Sequence, residues 1–171
     1  AGNGVTTGKH LSFVGAETSG LSSGIHGYDI DITRAATHAS ISGTIALTQK
    51  IIDSEEQITI VESGRAVNFK TIAGTSVKHT LNQLTSAIQA AGIDIELVRP
   101  DSSVTDSHAP QILTIRHKKF GSQPSFQVSS NTGGLLSQVA NVTLKVQNGV
   151  DIAGEIAGEE TVGKGQVLTG A

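Results

Sequence analysis

Residues 57–92 read QITIVESGRAVNFKTIAGTSVKHTLNQLTSAIQAAG, and this stretch decides the fold class. Its first half contains two runs rich in β-branched and aromatic residues, at residues 57–61 and 66–72, and such runs are typical of β-strands. The residues between them, Glu62-Ser63-Gly64-Arg65, form a short glycine-containing loop that suits a tight hairpin. The first half therefore predicts two strands joined as a β-hairpin.

In the second half an apolar residue recurs at every third or fourth position, at Val77, Leu81, Leu84 and Ile88. This spacing places the four side chains on one stripe of an α-helix. Thr75 or Ser76 supplies the N-cap, and Gly92 supplies the left-handed residue that ends the helix. We therefore predict one main helix over about residues 76–91.

More strands are predicted after the helix. Residues 93–99 form one, which ends at Pro100, and a polar loop follows over residues 101–110. Residues 111–117 and 125–129 alternate in polarity around the turn Phe120-Gly121-Ser122, as strands do. Residues 51–139 therefore form a β-β-α-β-β-β unit.

The segments on either side of this unit are also β-rich. Residues 28–33 alternate in polarity, residues 35–50 fit either a strand or a frayed helix and are assigned to a strand, and residues 142–146 form a further strand. Residues 1–27 are rich in glycine and serine and predict a loop with one short strand over Leu11–Val14. We expect residues 1–50 and 140–171 to pair into a β-rich outer or base layer, with 51–139 inserted. The fold class is α+β, mostly β, with antiparallel sheets and one main helix.

The last stretch, residues 149–170, reads GVDIAGEIAGEETVGKGQVLTG. Its closely spaced glycines separate short apolar pairs, which predicts extended pieces joined by tight turns. The stretch resembles the IN motif of bacterial flagellins and hook-associated proteins, whose pattern is close to G-x-D-[IV]-A-G-x-I-x-G-x-x-A-x-G-x-G-Q-x-L-T-G. Thr161 stands where that pattern has alanine. We call residues 149–170 the tail ribbon.

The resemblance extends more loosely over residues 50–170. Gly74-Thr75-Ser76-Val77 leads into a helix as in flagellar axial proteins, although Gln89 stands where asparagine is common. Residues 112–122 resemble the strand and turn that follow there. The long terminal helices through which flagellins polymerise are missing from this sequence.

The resemblance implies a structural protein of the bacterial flagellum, secreted and extracellular. We interpret the chain as the variable, outward-facing domain of a flagellin-type filament subunit that assembles with identical subunits through terminal helices absent here. The isolated fragment is then expected to be a monomer. One alternative is a domain of a filament-cap or hook-associated protein. An alternative of another class is an adhesin or glycan-binding β domain, which the shortage of aromatic rings disfavours.

Composition narrows the function classes. The net charge of -3 and the pI near 6.0 argue against nucleic-acid binding, which needs a clustered basic face. No apolar run approaches the roughly 18 residues of a membrane span, and the N-terminal residues lack the basic region and apolar core of a signal peptide. The absence of cysteine excludes disulfides and thiolate chemistry. The start Ala1-Gly2-Asn3 without methionine predicts an excised fragment.

No chemical motif in the sequence is complete. Six histidines lack the spacing of a metal-binding pair and are predicted to lie on the surface or in loops: His10, His26, His38, His79, His108 and His117. Residues 158–164 fit a phosphate loop except that Gly165 replaces the required serine or threonine, and residues 4–9 are one residue too short, so both predict turns.

Two charged clusters are interpreted as surface features without a chemical role. Asp53, Glu55 and Glu56 are predicted to form a solvated turn. Arg116, Lys118 and Lys119, with His117 between them, are predicted to guard an exposed sheet edge. We therefore predict no catalytic residue, no metal ligand and no cofactor, and no enzyme activity.

Overall fold

The computed structural model describes residues 4–15, 27–99 and 104–170. Within these ranges the elements are, in chain order, β1 (Ile30–Arg34), β2 (His38–Leu47), α1 (Gln49–Asp53), β3 (Gln57–Glu62), β4 (Arg65–Lys70), α2 (Val77–Ala91), β5 (Ile95–Leu97), β6 (Gln111–Phe120), β7 (Gln127–Ser130), β8 (Leu144–Lys145), β9 (Ala153–Ile156), β10 (Glu159–Glu160), β11 (Val162–Lys164) and β12 (Val167–Thr169). Strands hold 38% of these residues and helices 13%, and all the strand pairs are antiparallel. The predicted fold class is confirmed.

The strands form two larger sheets and two small ones. One larger sheet has the order β4-β3-β7-β8 and the other the order β2-β6-β5. The tail ribbon supplies the small sheets, because β9 pairs with β1 and β10, and β11 pairs with β12. Short extended pieces joined by turns are therefore what the tail ribbon forms, as its glycines predict.

The hairpin and the helix lie where the sequence places them. Ser63 and Gly64 both have positive φ, at 50° and 75°, which is the backbone of the type I′ turn that joins twisted strands. Helix α2 begins after Ser76, whose Oγ accepts the N–H of His79 at 3.2 Å. It ends at Gly92, with φ 65°. Ser76, and not Thr75, is therefore the N-cap.

The buried apolar side chains form one cluster. It combines residues from both larger sheets with one face of α2, which lies against β4 and β5. Leu84 and Val77 on α2 are fully buried in it, as are Ile58 and Ile60 on β3 and Ile115 on β6. The predicted apolar stripe of the helix therefore faces the sheets.

Three sequence expectations differ from the structure. The described residues 4–15 contain no strand, so the expected strand over Leu11–Val14 is wrong. Residues 49–53 form the short helix α1, capped by Thr48, which the sequence did not indicate. Residues 28–50 and 140–170 pair through β1 and β9, but the expected pairing is wrong for β2, which pairs with β6, and for β8, which pairs with β7. Ala39 and Leu47 of β2, and Val146 next to β8, join the common core. The domain boundaries at 50 and 140 stay a prediction.

Candidate functional site

A cleft of about 380 Å³ opens where β3 and β6 end. It lies between the β3–β4 turn, the residue that precedes β5, and the loop that follows β6. The residues around it are mostly polar: Glu62, Ser63, Asp94, His117, Lys119, Gln123, Pro124 and Ser125. We call this the β3–β6 cleft.

His117 forms the floor of the cleft. Side chains of β6 alternate between the core and solvent, and His117 follows Leu113 and Ile115 on the inward face with 3% of its surface exposed. Its Nδ1 accepts the backbone N–H of Lys119 at 3.0 Å, so a neutral ring carries its proton on Nε2. Nε2 lies 3.4 Å from Oε1 of Glu62 and donates a long hydrogen bond to it. The expectation that His117 is a surface histidine is wrong.

A β-bulge shapes the chain beside His117. Between His38 and Ser40 of β2, the partner in β6 moves from Phe120 back to Arg116, so β6 contains extra residues there. The hydrogen bond from the Lys119 N–H to the His117 ring holds this bulge. The bulge directs Lys119 toward the cleft mouth.

Glu62 is a buried carboxylate with its oxygens already engaged. Its Oε1 accepts the Ser63 hydroxyl at 2.5 Å as well as the His117 ring, and its Oε2 accepts the N–H of Asp94 at 3.3 Å. Burial by itself would raise the pKa of Glu62, but these three hydrogen bonds together outweigh burial, so the pKa is lowered. Glu62 is therefore ionised at neutral pH.

Asp94 and Lys119 form the rim. Their charged groups are 3.1 Å apart, and both side chains are largely open to solvent. The hydrogen bond and the positive charge of Lys119 lower the pKa of Asp94. Gln123 and Ser125 complete the rim, and their side chains make no hydrogen bond to the described part of the chain.

A second polar cluster anchors the tail ribbon. Oδ1 of Asp151 accepts the N–H groups of Ser122 at 3.1 Å and Gly165 at 2.8 Å, and Oδ2 accepts the Ser122 hydroxyl at 2.6 Å. The Ser122 hydroxyl, then the two N–H groups, lower the pKa of Asp151. Arg34 donates its Nε–H to the Asp151 carbonyl at 3.1 Å. Asp151 thus joins the turn after β6 to both ends of the tail ribbon. Its place in the G-x-D pattern is the one sequence signal for this role.

The acidic cluster does not converge on one site. Glu56 is only 2% exposed and accepts the N–H and the hydroxyl of Thr132, so the expectation of a solvated turn is wrong for this residue. Hydrogen bonds from the Gly74 N–H and the Gln49 amide lower the pKa of Asp53, and Glu55 pairs with Lys70. The three carboxylates therefore share no partner, and nothing brings them together as the two groups of an acid–base pair.

The basic run also differs from its prediction. β6 lies between β2 and β5, so Arg116 to Lys119 are not on a sheet edge. Arg116 donates to Glu96 on the neighbouring strand at 2.6 Å, and Lys119 pairs with Asp94. Arg116 and Lys119 are therefore partners of acids on β5 and just before it, and the expectation of an edge guard is wrong.

The other histidines are dispersed. His10, His79 and His108 are exposed, and His38 is half-buried with its ring 3.7 Å from that of Phe120. His26 lies outside the described residues. In the described part of the chain no group of three histidine, aspartate or glutamate side chains is arranged to hold a metal ion. In the phosphate-loop near-miss at residues 158–164, Gly158 has φ 80° and lies in the turn between β9 and β10, so it forms a turn as predicted.

Comparison with solved structures finds proteins with a similar fold. The chain matches the D2-D3 domains of the flagellar cap protein FliD from Escherichia coli with a TM-score of 0.51 and 12% identity, covering 81% of this chain and 74% of that one. It shares the fold of these cap domains. A structure of the D1-D2-D3 domains of the same protein matches with the same TM-score and identity, and this chain spans 42% of its length.

Sequence comparison adds no relative, because no family model and no curated protein matches this chain. None of the described helices is long and apolar enough to span a bilayer.

Proposed function

We propose that this chain is an outer domain of a structural protein of the bacterial flagellum, of the cap type. The observation that carries the proposal is the tail ribbon: a stretch that resembles the IN motif lies within a fold shared with flagellar cap domains. The motif resemblance comes from sequence and the fold likeness from backbone geometry. They are independent, and both favour the flagellum.

The cap alternative is favoured over the flagellin-type filament subunit. The motif resemblance fits flagellins and hook-associated proteins equally, whereas the fold likeness is to the D2-D3 domains of a cap protein. The D1-D2-D3 structure is more than twice as long as the part that this chain matches. We propose that assembly with other subunits uses segments beyond the matched part.

The work of such a domain is mechanical. The tail ribbon is fixed to the turn after β6 by two hydrogen bonds from Ser122 to Asp151, and its β9 is fixed to β1 by strand pairing. The tail ribbon is therefore bonded to the rest of the domain at several points. This arrangement suits a domain that is held outside the cell at the end of a long assembly, and it needs no reactive group.

Immunogold electron microscopy of the bacterium that encodes the chain tests the proposal. Antibodies raised against the purified chain should label flagellar tips. Label along whole filaments would instead favour the flagellin-type subunit, and label on the cell surface away from flagella would favour an adhesin and contradict a flagellar role. The control is the same serum absorbed with the purified chain, which should label nothing.

A further inference from the structure

We propose that the β3–β6 cleft binds a neutral sugar ring. The inference does not depend on the proposed flagellar role, since it rests on the hydrogen-bonding groups, charges and size of the cleft alone.

The rim of the cleft offers both kinds of hydrogen-bonding group. The Lys119 ammonium has three N–H donors and is paired with one acceptor, Asp94. The amide of Gln123 and the hydroxyl of Ser125 each supply a donor and an acceptor, and neither is used within the described residues. A sugar hydroxyl donates one hydrogen bond and accepts others, so a ring of hydroxyls matches this mixture.

The charges disfavour ionic ligands. Two carboxylates, Glu62 and Asp94, face the cleft against one ammonium, so a phosphate or carboxylate ligand would be repelled. Among the described residues no group of three acidic or histidine side chains is arranged to hold a metal ion, and Asp94 is already paired with Lys119. A neutral polar ligand is not repelled by the carboxylates and needs no metal-binding group.

The size and shape of the cleft set the expected affinity. Its 380 Å³ is at the small end of the range of about 300–1,000 Å³ for ligand sites, which suits one or two sugar units. Pro124 offers a flat apolar surface, but no aromatic ring lines the cleft. The affinity is therefore expected to be millimolar.

An NMR titration of the ¹⁵N-labelled chain tests the proposal. The probes are the methyl glycosides of glucose, galactose and N-acetylglucosamine, with inorganic phosphate as the charged comparison. At least one glycoside should give saturable shifts at the amides of Lys119, Gln123 and Ser125. Gln123→Ala should weaken its binding by about fivefold, the loss expected for one hydrogen bond.

Gln127→Ala is the matched control. Gln127 is an exposed glutamine on β7, four residues from Gln123 and outside the cleft lining, and its replacement should leave the binding unchanged. The proposal is wrong if no glycoside gives saturable shifts, if phosphate binds more tightly, or if both glutamine variants lose binding equally. Retention on beads that carry terminal galactose or N-acetylglucosamine chains, competed by the glycoside, would identify the end of a glycan as the source of the sugar.

Discussion

At Gly163 the tail ribbon packs against itself so closely that a Cβ atom would overlap the carbonyl oxygen of Ile152. Gly149 and Gly154 approach the carbonyl oxygens of Thr37 and Asp31 in the same way. Their backbone angles do not require glycine, so the requirement comes from the backbone opposite. Gly149 and Gly154 therefore let the tail ribbon lie directly on the chain beneath it, and Gly163 lets two parts of the ribbon pack together.

Gly163→Ala should destabilise the protein by about 1–3 kcal/mol, the usual cost of forcing an extra carbon into a packed site. Gly170→Ala is the matched control, because a Cβ there meets no atom within 4 Å. Urea unfolding curves of the two variants make the measurement. Equal midpoints would contradict the close approach at Gly163.

Residue type predicted turns at the glycines but not the fate of the buried charges. Glu62 and His117 are 55 positions apart, and Glu56 and Thr132 are 76 apart. A local sequence pattern shows only the neighbours of a charged residue along the chain. It does not show which distant residues will pack over that residue and bury it. This is why the sequence predicted solvent-exposed side chains at Glu56 and His117, which the fold buries.

Among the helices and strands, α2 is the element whose two ends are determined by residues close to them in sequence. Its apolar stripe, its N-cap and its final glycine all lie within residues 76–92, so the sequence contained the information needed to place it. Helix α1 has five residues and only Ile52 buried, too few for a periodic pattern. The partners of β2 and β8 also could not be predicted, because pairing between distant strands leaves no local signal.

Ser76→Ala should cost about 1 kcal/mol of folding stability, because the N–H of His79 loses its acceptor at the start of α2. Thr75→Ala, one residue earlier, removes a similar hydroxyl that makes no capping bond and should have little effect. Thermal unfolding followed by circular dichroism compares them. A larger loss for Thr75→Ala would place the N-cap at Thr75.

Leu84→Asp should prevent cooperative folding, because a carboxylate would replace an apolar side chain that is 1% exposed between α2 and the sheets. The milder Leu84→Ala should cost about 2–5 kcal/mol. Ser86→Asp introduces the same charge on the exposed side of the same helix and should fold normally. Calorimetry of the three variants would contradict the placement of α2 if Leu84→Asp unfolded at the wild-type temperature.

At the scale of the whole molecule, acid should weaken the fold. The pKa values of Asp53, Glu62, Asp94 and Asp151 are all lowered in the folded chain. Their stabilising contribution is full above the unfolded-state values of about 4, and it is lost as the pH falls through the lower folded values. The urea midpoint should therefore change little between pH 5 and 7 on account of these groups and fall below about pH 4.

Asp151→Asn should reduce this acid dependence, since the amide cannot gain the stabilisation of an ionised group bonded to Ser122 and Gly165. Asp29→Asn removes a carboxylate that accepts no hydrogen bond within the described residues and should keep the wild-type pH profile. An unchanged profile for Asp151→Asn would show that the Asp151 contacts contribute nothing to the pH dependence.

The pairing of β1 with β9 has a practical consequence for protein engineering. Arg34 and Ala153 face each other across the two strands, and antiparallel partners have Cα atoms about 5 Å apart. The chain between them, residues 35–152, therefore begins and ends at two adjacent positions. A foreign protein whose own termini are close together can therefore join Arg34 to Ala153 in place of residues 35–152 without stretching β1 or β9.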